Sequence, residues 1–231
     1  MRQLPLGVRL RADAVFDSFA PGPNAEIVGA LRAPTPLPLW LWGAPASGKT
    51  HLLQAACAAA GAVGEAAAYL PLERGAGLPP EALVGFETCR VLCLDDVDAV
   101  AGDRAWEEAL FRLFNEGAEL HTRLIFAARA PPRQLLWSLN DWRSRAAACV
   151  VYQLHELDDA GRVEALRLRA AQRGLDLPTE TSEYLLRRMP RDLPTLMRVL
   201  DQLDEASLVA QRRLTVPFIR DALEKPAGTK S

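Results

Sequence analysis

The sequence predicts an α/β protein: an αβα sandwich on a five-stranded parallel sheet, followed by a small all-helical domain. Three observations carry that prediction. Short apolar runs alternate with helical stretches through the first part of the chain. A glycine-rich loop sits between the first run and a helix. After about residue 156 the strand signal stops and only helical periodicity continues.

The runs are Leu37–Trp42, Ala66–Leu70, Val91–Leu94 leading into Asp95 and Asp96, Leu124–Ala128 and Cys149–Leu154. Each is short and almost wholly apolar, as strands covered on both faces are, and parallel pairing follows because helical crossovers separate them. His51–Ala59 is rich in strong helix formers. In Trp106–Leu120, Trp106, Ala109, Leu110, Leu113, Phe114 and Gly117 fall on one helical face. The tail reads as four helices: Asp158–Arg173, Glu180–Arg188, Leu193–Ala210 and Val216–Leu223. The expected organisation is an N-terminal arm over residues 1–12, a core over 13–156, a helical lid over 157–225 and a tail over 226–231.

Composition limits the function. The chain has 231 residues, and its formal charge is −2, from 27 basic and 29 acidic side chains. A domain gripping duplex DNA by its phosphates needs a positive excess or a basic stripe, so direct sequence-specific DNA binding is not expected. No run approaches the roughly 18 apolar residues of a membrane span. Met1–Leu10 is interrupted by Arg2, Pro5, Gly7 and Arg9, unlike a secretory signal. Cys57, Cys89, Cys93 and Cys149 form no CxxC pair and read as buried reduced thiols. Together these readings point to the cytoplasm.

One bias is informative. Of the 27 basic residues 24 are arginine, and the lysines are Lys49, Lys225 and Lys230. Two of these fall in the last seven residues, so Lys49 is the one lysine in the body of the chain. A compact ammonium on a flexible stem is not interchangeable with a guanidinium where it must reach a phosphate.

Lys49 lies in Gly43-Ala44-Pro45-Ala46-Ser47-Gly48-Lys49-Thr50, a complete G-x-x-x-x-G-K-[ST] between a strand and a helix. Backbone N–H groups of such a loop wrap phosphates, and the helix N-terminus adds partial positive charge. Lys49 is expected to reach the β and γ phosphates of ATP or ADP, and the Thr50 hydroxyl to ligate Mg²⁺. The partner element is an apolar strand ending in acids, supplied by Val91–Asp96. Asp95 is expected in the Mg²⁺ shell, and Asp96 at the attacking water if hydrolysis occurs.

With these motifs in place the sequence resembles the AAA+ ATPases, and within them the DnaA family and its short Hda branch. Phe16–Asn24 resembles the segment leading into the family's adenine pocket. Leu94–Val97 with Phe111–Asn115 resembles its acid-strand-and-helix block. Pro131–Leu135, Leu203–Ser207 and Gln211–Phe218 resemble the Hda branch in particular. The resemblance implies a regulator that promotes hydrolysis of ATP bound to the replication initiator DnaA, lowering initiation. Arg145, after Asp141-Trp142-Arg143-Ser144, matches the arginine finger that acts in trans on a neighbour's nucleotide. Gln3, Leu4, Leu6 and Val8 resemble the peptide that docks on the β sliding clamp of DNA polymerase III, with Val8 departing from the usual Leu or Phe. The initiator's C-terminal helix-turn-helix domain has no counterpart before Ser231, in keeping with the charge. A homo-oligomer is compatible with the resemblance.

Two departures bear on activity. The family's polar sensor at the end of the fourth strand falls in Ala127-Ala128-Arg129, and its lid arginine falls at Pro194. Nucleotide binding should survive, and self-hydrolysis should be weak or absent. The alternative is an autonomous AAA+ ATPase of the helicase-loader or transposition-helper type, which would want intact sensors and a basic surface.

Overall fold

The computed structural model describes residues 11, 13–33, 35, 37–73, 78–210 and 212–224. The five expected strands are present as β1 (Leu39–Gly43), β2 (Ala67–Pro71), β3 (Val91–Asp95), β4 (Arg123–Ala128) and β5 (Val150–Leu154). They form one sheet in the order β2-β3-β4-β1-β5, every pair parallel. The helices of this part are α1 (Ala25–Arg32), α2 (Lys49–Ala62), α3 (Arg104–Glu119) and α4 (Asn140–Ala147).

Burial explains why the central runs β1, β3 and β4 carry no alternation. Every residue of β3 is buried, because both faces are covered. Trp40, Leu92, Leu94 and Phe126 join the cluster made with α3 and α4. Their neighbours Leu39, Leu41, Cys93 and Ile125 are equally buried and point the other way by the twofold period of a strand. On the α3 side the core is aromatic: Phe126 stacks on Trp40 and Phe114, and Trp142 meets Phe114, Phe126 and Trp137 edge-on.

Helix starts have local causes. Asp103 caps α3, accepting from the N–H groups of Ala105 and Trp106 at 3.0 and 3.3 Å. That moves the start of α3 to Arg104, two residues before its apolar stripe. At the other end of the core, Asn24 clasps the residue after β5. Its Nδ2 donates to His155 O at 3.0 Å and its Oδ1 accepts from His155 N at 2.8 Å.

The chain divides into two compact units, Pro23–Glu156 with the segment before Asp17, and Asp17–Gly22 with the chain from Leu157 onward. The second unit holds α5 (Asp159–Gln172), α6 (Thr179–Arg188), α7 (Leu193–Ala210) and α8 (Val216–Glu224). Its core joins Leu166, Leu185, Leu196, Leu200, Phe218 and Ile219. Arg173, the residue after α5, ties it laterally, pairing with Asp201 and Asp204 of α7 at 2.8 and 3.0 Å. All four cysteines are free and buried. Among the described residues no helix is long and apolar enough to cross a membrane.

Candidate phosphate and acid site

Parallel strands end on one edge, and the site grows from two of those ends. β1 ends at Gly43, opposite Leu154 of β5. Only a residue without a side chain fits there: a Cβ on Gly43 would stand 2.6 Å from Leu154 O and 3.1 Å from Ser47 Oγ. Gly48 then takes φ +101° as the N-cap of α2, a left-handed conformation that favours glycine. Ala46 is also left-handed, at φ +64°. The result is a tight loop whose chain turns directly into a helix, leaving the first N–H groups of α2 without helical acceptors.

Lys49 is buried within this loop. Its Nζ donates to Gly43 O at 2.9 Å and Ala44 O at 2.8 Å. Burial lowers its pKa, and the carboxylates of Asp95, Asp96 and Asp98 partly oppose that shift. The one lysine of the body of the chain is thus held over the loop with three acids nearby.

β3 delivers the acids. Asp95 is 1% exposed and fully engaged. Its Oδ2 accepts from Thr50 Oγ1 at 2.6 Å and from the Tyr69 hydroxyl at 2.9 Å, and its Oδ1 from Asp96 N at 3.0 Å. The strand ends there; Asp96 leaves it with φ +52°. Burial raises the pKa of Asp96, and the charges of Asp95 and Asp98 raise it further. The Tyr69 phenol is raised too, chiefly by burial and then by Asp95.

The structure therefore brings Lys49, Thr50, Asp95 and Asp96 to one end of the sheet. Arg129, one residue past β4, donates its backbone N–H to Asp98 Oδ1 at 3.1 Å, with its Nε 3.8 Å from Asp98 Oδ2. Pro194 stands in the first turn of α7, where a missing N–H costs nothing. There Asp192 Oδ1 accepts from Thr195 N at 2.9 Å. Gln3, Leu4, Leu6 and Val8 lie outside the described residues.

Arg145 is not part of this cluster. It is exposed on α4, with its guanidinium 5.9 Å from the ring centroids of both Phe111 and Phe114 of α3. Among the described residues it forms no ion pair.

The residues fit a hydrated divalent cation beside a phosphate. Thr50 and Asp95 supply converging oxygens, and the remaining ligands would come from phosphate and water, as Mg²⁺ prefers. Among the described residues no cluster of three His, Cys, Asp or Glu side chains is arranged to hold a metal ion. Sequence reasoning missed Tyr69. Its only signal was a hydroxyl near the end of an otherwise apolar run.

Comparison with known proteins bears on the fold and on the helical part. Residues 159–223 match the family described as Hda, lid domain. The fold resembles domain III of the Thermotoga maritima replication initiation protein DnaA, with a TM-score of 0.77 at 20% identity over 94% of this chain and 98% of that one. It also resembles AMPPCP-bound DnaA from Aquifex aeolicus, with a TM-score of 0.68 at 22% identity over 85% and 67%. The Thermotoga maritima RuvB branch-migration motor is more distant, with a TM-score of 0.61 at 16% identity over 81% and 61%. The chain thus has a fold similar to that of DnaA domain III, and its residues 159–223 match the Hda lid domain.

Proposed function

We propose that this chain is a cytoplasmic negative regulator of replication initiation that stimulates hydrolysis of ATP bound to DnaA. Gly43–Thr50 holds ADP or ATP, with Mg²⁺ at Thr50 and Asp95. Arg145 enters the nucleotide site of DnaA and stabilises charge there. Residues 1–12 form the arm that docks Gln3, Leu4, Leu6 and Val8 on the β sliding clamp.

The observation that carries this reading is the state of Arg145. Among the described residues Arg145 forms no ion pair with a carboxylate. Arg145 instead lies over two aromatic rings, which orient a guanidinium without neutralising it. That is the condition a finger needs, because its charge must remain available to a phosphate in another subunit. AMPPCP-bound DnaA among the structural relatives supports a nucleotide in the loop. The cis machinery is depleted at both sensor positions. Arg129 is drawn to Asp98, and Pro194 offers no donor. Asp96 remains to polarise water, so any self-hydrolysis is slow.

The test is phosphate release from ATP-loaded DnaA on DNA-loaded clamp, with the full chain and with a chain lacking residues 1–8. The full chain should accelerate release, and the truncated chain should lose both clamp binding and acceleration. An unchanged rate with the full chain contradicts the proposal.

A further inference from the structure

Glu107 is 0% exposed, and among the described residues it forms no ion pair. A buried carboxylate without a cation must be held by donors. Its Oε1 accepts from Gly102 N at 2.8 Å and Ser138 N at 3.1 Å, and its Oε2 from Leu139 N at 2.6 Å. Two of these donors immediately precede α4. Leu139 is the N-cap of that helix and has no side-chain cap of its own. Glu107 therefore places a negative charge where the helix dipole favours one. Ser138 Oγ adds a strap to Gly102 O at 3.0 Å.

The same face of α3 fixes the other end of α4. Glu107, Phe111 and Phe114 are spaced i, i+4 and i+7, one stripe of the helix. Phe111 and Phe114 carry the Arg145 guanidinium. At 1.5 Å per residue, Leu139 to Arg145 spans about 9 Å along α4, and Glu107 to Phe111 and Phe114 spans about 6–10 Å along α3. The contacts match in order and spacing, and between them Trp142 is sunk in the aromatic core. α4 is thus indexed against α3 at its start, middle and end.

We infer that Glu107 is a positioning residue for Arg145: it anchors the start of α4 and so sets where the guanidinium stands. This rests on the reading of Arg145 as a finger acting on the initiator's ATP. It adds a residue that touches neither nucleotide nor partner, yet governs the rate in the partner's site.

Glu107→Gln keeps the shape and removes the charge. Whichever way the amide turns, an NH₂ group faces at least one backbone N–H. With ATP-loaded DnaA on DNA-loaded clamp, the expected result is a maximal hydrolysis rate about 10- to 100-fold lower, since small misplacements of a catalytic group cost that much. The concentration giving half the effect, and clamp binding, should not change. A merely destabilised protein would move the half-effect concentration as well. Hydrogen exchange at Arg143–Ala147 should be faster in Glu107→Gln, a readout independent of the partner. Should that variant fail to fold, Ser138→Ala, at an exposed position, should lower the maximal rate by a smaller factor. Arg145→Ala runs alongside. If Arg145→Ala abolishes stimulation and Glu107→Gln keeps the wild-type rate and exchange, the inference about Glu107 is wrong and the finger stands. If Arg145→Ala stimulates like wild type, or wild type does not stimulate, the finger reading falls and this inference with it.

Discussion

Thr50 Oγ1 donates to Asp95 Oδ2 at 2.6 Å, across 45 residues of sequence. Their strands are not neighbours, since β4 lies between β1 and β3. The contact exists because every strand of the sheet is parallel, so a loop and an acid from different strands emerge on one edge. Tyr69 at 2.9 Å completes the arrangement around the carboxylate. These contacts join the glycine loop to the acid strand.

The two donors on Asp95 should separate under mutation. Tyr69→Phe removes a part-buried hydrogen bond and should cost about 1 kcal/mol of stability. Nucleotide affinity should stay within a few-fold, because the phenol is no part of the loop. Thr50→Ala should instead abolish the Mg²⁺-dependent part of nucleotide affinity. Thermal melts and nucleotide titrations with and without Mg²⁺ check both.

Glycines in the same strand-loop-helix unit should respond in opposite directions. Gly43→Ala forces a Cβ to 2.6 Å from Leu154 O, a backbone atom that cannot yield cheaply. It should destabilise by about 1–3 kcal/mol and impair nucleotide binding. Gly61 lies within α2, where an added Cβ meets nothing within 4 Å. Gly61→Ala should stabilise by roughly 0.5–1 kcal/mol and leave binding intact. Calorimetry of the two variants distinguishes a steric role for the first glycine from a general glycine effect.

Asp96 yields a pH prediction. Its folded-state pKa is raised, by burial first and the Asp95 charge second. A raised carboxylate destabilises the fold when ionised, so its penalty is present at neutral pH. That penalty fades as pH falls through the folded-state value. Asp96→Asn removes the charge and suits the left-handed φ of +52°. It should raise stability at pH 7 modestly, because solvent screens a charge that is only partly buried. The gain should shrink as the pH drops toward the acid range, where the native residue protonates. Melting curves of both proteins from neutral to acid pH measure that difference.

The parts of this molecule visible in the sequence are those whose cause is local. The central strands β1, β3 and β4 announced themselves because near-complete burial makes each a continuous apolar run, whereas the edge strands β2 and β5 are only partly buried. Gly43–Thr50 was legible because steric needs at Gly43 and Gly48 fix residue types at fixed spacing. Helix α4 gave no such signal. Only Trp142 and Ala146 are buried in it, too few for a periodic stripe, and its N-terminus is held from outside by Glu107. Helix α1 escaped for a similar reason, with only Ile27 and Leu31 buried. The partners of Asp95 and Glu107 also stayed hidden. Tyr69, Ser138 and Leu139 are 26 to 32 residues away from them in sequence, and no pattern in one chain marks such pairs. What sequence reasoning supplied at Arg145 was a resemblance; its setting over Phe111 and Phe114 came from the fold.

The central claim is that the charge of Arg145 works in another protein's nucleotide site. The most direct measurement is the rate of phosphate release from ATP-loaded DnaA, on DNA-loaded clamp, with wild type or Arg145→Ala. Because the side chain is exposed and makes no ion pair among the described residues, the variant should fold, bind nucleotide and bind the clamp as wild type does. The account predicts that it no longer accelerates hydrolysis, a loss of about 10³-fold or more where the finger carries the full effect. Acceleration by Arg145→Ala equal to that of wild type would contradict it.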